Sequence, residues 1–292
     1  MLASKPVRRT LALDIGGTNF SVGVFADEIL IGRATQPTNR LAGPLWMLDR
    51  MQEMVAGMVT KPAFDACGIG FGGPVDFSTQ RVLFSTQVPG WEGFDVIGEV
   101  QKRFAAPAIM DRDTMAGALG EGIYGVGKGF RPLFYITLST GVGGGLLTEN
   151  GLYRGVDSYA CELGHQTVLS QGPECLCGSF GCLERMTSGL WLERDYGKTA
   201  QELFTDPEFV SGYVVNLAQG LKNTIMLLNP ARIVIGGGIS KAGDALFVPL
   251  RHELRRQVTS WSKARIDVVP ASLGGDSVLW GALRLALEGI HR

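Results

Sequence analysis

Four side chains with metal-binding atoms fall at His165, Cys175, Cys177 and Cys182, a spacing of H-x9-C-x-C-x4-C. Three thiolates and one imidazole are the ligand set of a closed tetrahedral Zn²⁺ site. A Cys-x-Cys redox pair or four small buried residues are the competing readings. Neither accounts for Gly178 and Gly181, which let the loop wrap around an ion. With every ligand drawn from protein, no position stays open for water or substrate, so the expected zinc is structural and not a Lewis acid.

A second chemistry is written in glycine turns. In "DIGGTN", Gly16 and Gly17 let bare backbone approach an oxyanion, Thr18 and Asn19 add side-chain donors, and Asp14 is placed to hold Mg²⁺ through water. A tight hairpin with an Asp for turn chemistry explains the same residues. A second turn, "STGVGGG", contains Thr140, Gly141 and Gly143 and offers further amides to the same polyphosphate, so that two hairpins would clamp it. A third, "IVIGGGIS", places Gly236, Gly237 and Gly238 at the end of a strand before a helix expected from Ser240. There, close approach of an adenine or ribose and plain helix–strand packing stand side by side. None of the turns has the Walker pattern or the Gly-x-Gly-x-x-Gly dinucleotide pattern, which disfavours a dehydrogenase. Finally, "APAIMDRDTMAGALGE" runs a strand into a helix with Asp113 at its N-terminal end, where the macrodipole keeps a carboxylate ionised; a simple N-cap is the plain alternative.

The elements that must position these groups follow from apolar periodicity. Strands are expected at "TLALDI", "FSVGVF", "DACGIGF" and "APAIMD", with a helix at "GPLWMLDRMQEMVAGMV". A second series follows: strands "LFYITLS", "VGGGLLT" and "ARIVIGG", and helices "DPEFVSGYVVNLAQGLKNTIMLLN" and "SVLWGALRLALEG". Both series open with strand, glycine turn, strand, which suggests duplicated domains. The expected organisation is a small N-terminal α/β lobe over residues 1–111 and a larger one over 112–292 carrying the zinc loop, with the C-terminal helix free to pack back on the first lobe. The 292 residues suit two such lobes hinged about a cleft.

Charge is nearly balanced, 27 basic against 28 acidic residues, with no Lys/Arg-rich block, so nucleic acid is not an expected partner. No secretory leader and no run of 18 apolar residues is found, and five cysteines make an odd count, so the expectation is a cytoplasmic protein with no membrane partner.

Taken in order, these motifs resemble those of the ROK family of sugar kinases and sugar-responsive repressors, within the actin-like, hexokinase-like ATPases. "DIGGTN" is similar to the first phosphate motif, "GIGFGGPVD" to the sugar-side loop that includes Gly73, "DRDTMAGALGE" to the catalytic turn, and "CELGH" with "CLCGSFGCLE" to the zinc signature. The resemblance implies a two-lobed actin-like, ribonuclease H-like α/β fold with an interlobe cleft. It implies ATP, Mg²⁺ and structural Zn²⁺, Asp113 as general base, and Glu162, His165 and Glu184 contacting sugar hydroxyls. Glu184, beginning a helix, is also explained by macrodipole compensation. The family is often dimeric, so a homodimer is expected. Repressor members carry a helix-turn-helix ahead of the sugar domain, and a first strand near residue 10 leaves no room for one. The reading is therefore an ATP-dependent kinase acting on a hydroxyl, by family inference the 6-hydroxyl, of a hexose or hexose-like substrate. A non-catalytic sugar sensor of the same family, or a kinase for an atypical sugar or cyclitol, is the alternative.

Several positions depart from the family pattern. Arg112 stands for a sugar-binding Asn and either faces the substrate or turns outward to pair with a carboxylate such as Asp111. Gln87 stands for an Asn, Gly72 for a Pro, Ser139 for a Gly, and "LGGDS" for "LG-x-DA". Cys161 replaces the Gly before Glu162 and is expected as a buried small hydrophobe, not a fifth ligand. The changes concentrate on sugar recognition.

Overall fold

The computed structural model describes residues 7–60, 62–85, 88–262 and 264–289, so Gln87 lies outside the described residues. The chain divides into two compact units. The first comprises Met1–Gly120, Gly155–Ser158 and Val278–Arg292, the second Glu121–Arg154 and Tyr159–Ser277.

The first unit contains, in chain order, β1 (Arg9–Ile15), β2 (Asn19–Ala26), β3 (Ile29–Pro37), α1 (Gly43–Met58), β4 (Ala66–Phe71), β5 (Val75–Asp76), β6 (Arg81–Val82), α2 (Val96–Phe104), β7 (Ala108–Arg112) and the start of α3 (Asp113–Ile123). Five strands form a mixed sheet in the order β3-β2-β1-β4-β7. The hairpin strands β1, β2 and β3 pair antiparallel, whereas β1, β4 and β7 run parallel. The central strands are continuous apolar runs, with every residue of β4 buried, as a sheet covered on both faces requires. At the edge, β3 alternates exposed and half-buried residues, so it lacks the buried apolar run that marks the other strands. Helix α1 buries Met47, Leu48, Met51, Met54 and Val55, one helical face, against this sheet.

The second unit contains β8 (Leu133–Leu138), β9 (Val142–Thr148), β10 (Gly151–Leu152), α4 (Leu183–Thr187), α5 (Gly189–Tyr196), α6 (Ala200–Leu203), α7 (Pro207–Leu228), β11 (Arg232–Gly236), α8 (Asp244–Val258) and β12 (Val268–Pro270). Its sheet order is β10-β9-β8-β11-β12, with the first three strands antiparallel and β8, β11 and β12 parallel. Order and strand sense thus repeat those of the first sheet. Helix α7 starts where Asp206 accepts the Glu208 N–H at 2.9 Å and ends on Asn229 at φ 41°. The helix expected from Ser240 begins later: a 3-10 turn spans Ile239–Ala242, Gly243 breaks it at φ 58°, and α8 starts at Asp244.

The last helix, α9 (Ser277–Gly289), belongs from Val278 onward to the first unit. Gly68 of β4 has no Cβ, and the space is taken by the backbone of Ala282, so helix and strand meet without an intervening side chain.

Candidate functional site

In the first unit the carboxyl ends of β1, β4 and β7 share one edge of the sheet, the usual ligand-bearing edge of an open α/β sheet. Asp14 is the penultimate residue of β1, and Gly16 to Thr18 form the turn into β2, whose first residue is Asn19. The loop after β4 closes against this turn: the Gly72 N–H donates to the Ile15 carbonyl at 2.8 Å. A Cβ placed on Gly72 would lie 3.4 Å from the Gly16 Cα and 3.6 Å from Asp113 Oδ2. The structure therefore gathers the first glycine turn, the Gly72–Gly73 loop and Asp113 around one point. Gly73 itself packs its bare face on the Phe71 ring and the Phe84 carbonyl.

Asp113 opens α3, and its Oδ1 accepts the Thr114 N–H at 2.7 Å. Two residues earlier, in β7, Asp111 Oδ1 accepts the Arg112 N–H at 2.8 Å. At the free edge of β7, Gln80 brackets Met110, accepting its N–H at 2.6 Å and donating to its carbonyl at 3.0 Å. Side chains thus occupy the open edge of the strand that delivers Asp113. Arg112 is 4% exposed, which rules out an outward, solvent-facing side chain.

In the second unit the β8–β9 turn is held from three sides. The Ser139 N–H donates to the Gly141 carbonyl at 3.0 Å. The first N–H groups of α5, from Gly189 and Leu190, donate to the carbonyls of Ser139 and Thr140 at 2.7 and 3.2 Å. Glu184, in the first turn of α4, accepts the Val142 N–H at 2.9 Å, its carboxylate lying against Gly141. Glu184 therefore has a partner beyond the helix dipole: the backbone of the second glycine turn. Glu162 precedes a 3-10 turn over Leu163–His165, and Gly164 in that turn fits against the Val142 carbonyl and the Glu184 Cβ. Thr140, Gly141, Glu184 and the 162–165 segment form one cluster, while Gly143 sits inside β9 opposite Thr137. At the end of β11, packing accounts for two glycines: Gly236 faces the Tyr135 hydroxyl, and Gly237, at φ 86°, faces the Leu138 backbone. Gly238 alone opens to free space.

The His/Cys loop folds as one cluster. Ligand atoms of His165, Cys175, Cys177 and Cys182 all lie within 4.8 Å of one another. Cys177 Sγ is 3.6 Å from Cys182 Sγ, and Cys175 Sγ is 4.0 Å from His165 Nδ1. Zinc–ligand bonds of about 2.3 Å around a tetrahedron separate sulfurs by about 3.8 Å, so the set fits the ion. Gly178 at φ 85° and Gly181 at φ 60° make the turns that bring the thiols inward. Burial, with the neighbouring thiols, pushes Cys182 up to about 12, and burial raises Cys175 as well. Such thiols stay protonated unless a cation draws off the protons. Cys182 is also the N-cap residue of α4, so the loop sets where Glu184 lies. Cys161 stands outside the cluster at φ 68°, a conformation a glycine adopts without strain, and is half-buried against the core.

Three groups escape sequence reasoning. Thr38 and Arg40 bond the carbonyls of the first glycine turn. Glu121, fully buried near the end of α3, accepts the N–H groups of Val126, Ser272 and Leu273 and the hydroxyls of Ser272 and Ser277. The hint for Glu121 was a lone carboxylate in the apolar run "MAGALGEGI".

Comparison with known proteins agrees with this organisation. A glucokinase of Thermotoga maritima is 30% identical, over 98% of this chain and 99% of the relative. A crystal structure of a ROK family glucokinase from Streptomyces griseus, in complex with glucose and AMPPNP, superposes with a TM-score of 0.84 at 30% identity, covering 96% of this chain and all of that one. A xylose repressor of Bacillus subtilis is 25% identical over 83% of this chain and 66% of its own length. Among the described residues no helix is long and apolar enough to cross a membrane. The ROK family model matches residues 10–289, and the chain belongs to the ROK family.

Proposed function

We propose that this chain, whose homology to ROK sugar kinases supports ATP-dependent carbohydrate phosphotransferase activity, moves the γ-phosphoryl group of ATP to a hydroxyl of a hexose or hexose-like substrate, by family inference the 6-hydroxyl. The observation that carries the reading is the convergence of the first glycine turn and Asp113 on Gly72 at the carboxyl edge of the first sheet. Asp113 Oδ1 is engaged by the Thr114 N–H, and Oδ2 faces Gly72. In this reading Asp113 accepts the proton as the sugar oxygen bonds to phosphorus and the bond to the ADP oxygen breaks. The amides of the 16–19 turn would bind phosphate oxygens, the 139–142 turn of the second unit is assigned the same role, and Asp14 would hold Mg²⁺, whose charge would offset that of the phosphates. Glu162, His165, Gly73 and Arg112 are assigned to the sugar. Glu184 is assigned to the second glycine turn and through it to the site. The four-ligand loop would hold Zn²⁺ as a structural ion that fixes α4.

A panel of sugars and polyols with MgATP, followed by ADP release, tests the proposal. Asp113→Asn should abolish turnover while leaving the melting temperature and nucleotide binding near wild type, because the amide accepts the Thr114 N–H but not a proton. Turnover retained in that variant refutes the assigned base. Sugar binding without ADP release from any substrate would assign the chain to the sensor branch instead.

A further inference from the structure

The first glycine turn does not hold its own shape. The Gly16 carbonyl accepts from Thr38 Oγ1 at 2.7 Å, the Gly17 carbonyl from Arg40 Nε at 3.0 Å, and the Thr18 carbonyl from the Thr38 N–H at 2.9 Å. Three successive carbonyls therefore face the segment that follows β3. In a planar trans peptide the N–H of the next residue points away from the carbonyl. Fixing the Gly16 and Gly17 carbonyls on the Thr38–Arg40 side turns the Gly17 and Thr18 N–H groups to the opposite face. Consecutive N–H groups presented together are the elements of an anion-binding nest.

Arg40 adds charge to this geometry. It is exposed, its Nη2 comes within 3.5 Å of Thr18 Oγ1, and among the described residues no carboxylate pairs with it. Arg50 and Arg103, by contrast, each pair with a carboxylate. A guanidinium on a carbonyl also polarises that peptide, which strengthens the N–H on its far side as a donor. A bare, unneutralised cation anchored to a turn that is otherwise glycine, threonine and backbone suits a ligand of high negative charge, not a neutral sugar.

We propose that Arg40, together with Thr38, is a positioning residue for the nucleotide polyphosphate: it acts through the Gly17 carbonyl to aim the turn's amides and raises the positive potential there. The proposal rests on the reading of the 16–19 turn as a phosphate site.

Steady-state kinetics of the full chain, with MgATP and sugar varied separately, test it. Arg40→Ala should raise the KM for MgATP about five- to tenfold, the scale of one charge-assisted hydrogen bond in a partly solvated site, while the sugar KM stays within about twofold. The salt dependence of the MgATP KM should flatten in the same variant. Arg40→Lys should recover part of the loss, since an ammonium keeps the charge but not the planar fork. Thr38→Val should weaken nucleotide binding and Thr38→Ser should restore it. Calorimetric titration with AMPPNP should reproduce the ranking without turnover. An unchanged MgATP KM in Arg40→Ala, or an equal rise in both KM values with a lower melting temperature, overturns the inference alone. Wild-type protein that neither turns over nor binds AMPPNP overturns the phosphate-site reading with it.

Discussion

Replacing Glu121 by Gln tests how the end of α3 is held. Glu121 Oε1 accepts the Leu273 N–H at 2.9 Å and the Ser277 hydroxyl at 2.8 Å; Oε2 accepts the N–H groups of Val126 and Ser272 and the Ser272 hydroxyl, each at 3.2 Å. A carboxylate near a helix C-terminus opposes the macrodipole, and these five donors offset that cost. Glutamine has one acceptor oxygen and one NH₂ donor. If the NH₂ takes the Oε2 place it meets two backbone N–H groups; at the Oε1 place it meets only that of Leu273, because the Ser277 hydroxyl can rotate to accept. The better orientation still leaves the part-buried Leu273 N–H unpaired, a cost of about 1–3 kcal/mol, and forfeits charge assistance. We expect about 2 kcal/mol of destabilisation, seen as a fall in melting temperature of roughly 3–4 °C by calorimetry. Glu121→Ala should exceed this, at about 4 kcal/mol, because all five donors lose their partner. Ser277→Ala should cost under about 1 kcal/mol, since Leu273 still occupies Oε1. A Glu121→Gln protein that melts with wild type would refute the account.

Other outcomes follow from the same geometry. Undenatured protein should hold about one zinc per chain by elemental analysis; Cys177→Ser should lower both metal content and melting temperature, whereas Cys161→Ser should leave the metal in place. Hydrogen bonds from the Thr79 and Ser78 side chains, then from their N–H groups, depress Asp76 from 3.8 to about 2, so its support of the β5–β6 turn is present above pH about 4 and lost as pH falls towards 2. The stability gap between wild type and Asp76→Asn, followed by chemical denaturation, should therefore narrow from pH 5 to pH 3. For Arg112→Asn, a shift of the substrate ranking towards glucose is expected, because Asn both donates to and accepts from sugar hydroxyls while guanidinium only donates; an unchanged ranking removes Arg112 from substrate choice.

What could be read from the chain was whatever is local. The strands around "TLALDI" and "LFYITLS", the glycine turns that follow them, and the H-x9-C-x-C-x4-C loop are contiguous patterns whose physics acts over a few residues. β3 was not legible, because alternation of exposed and half-buried residues in "ILIGRATQP" lacks the apolar run that marks its neighbours. The start of α8 was misplaced because Ser240 looks like a helix cap, while the positive φ at Gly243 resets the helix. Long-range partners were invisible for a different reason. Arg40 meets Gly17 from 23 residues away, Gln80 meets Met110 from 30, and Glu121 meets Ser277 from 156. Nothing in local composition announces such pairs. The same holds for Glu184, whose bond to the Val142 N–H becomes visible only once α4 is seated beside β9.

The assignment of α9 to the first unit has a consequence for the order in which a nascent chain completes itself. Synthesis delivers β1 to β7 first and α9 last, with nearly the whole of the second unit in between. Until Val278 and the residues after it emerge, the Gly68 patch of β4 lacks the Ala282 backbone, and Ala116 of α3 lacks Gly281, which later meets it directly. The unit that begins first therefore finishes last, and its unfinished seam at Gly68 is bare backbone with no side chain to shield it. A ribosome stalled before α9 would present that seam to solvent and to chaperones at a stage when nearly all of the second unit has been made.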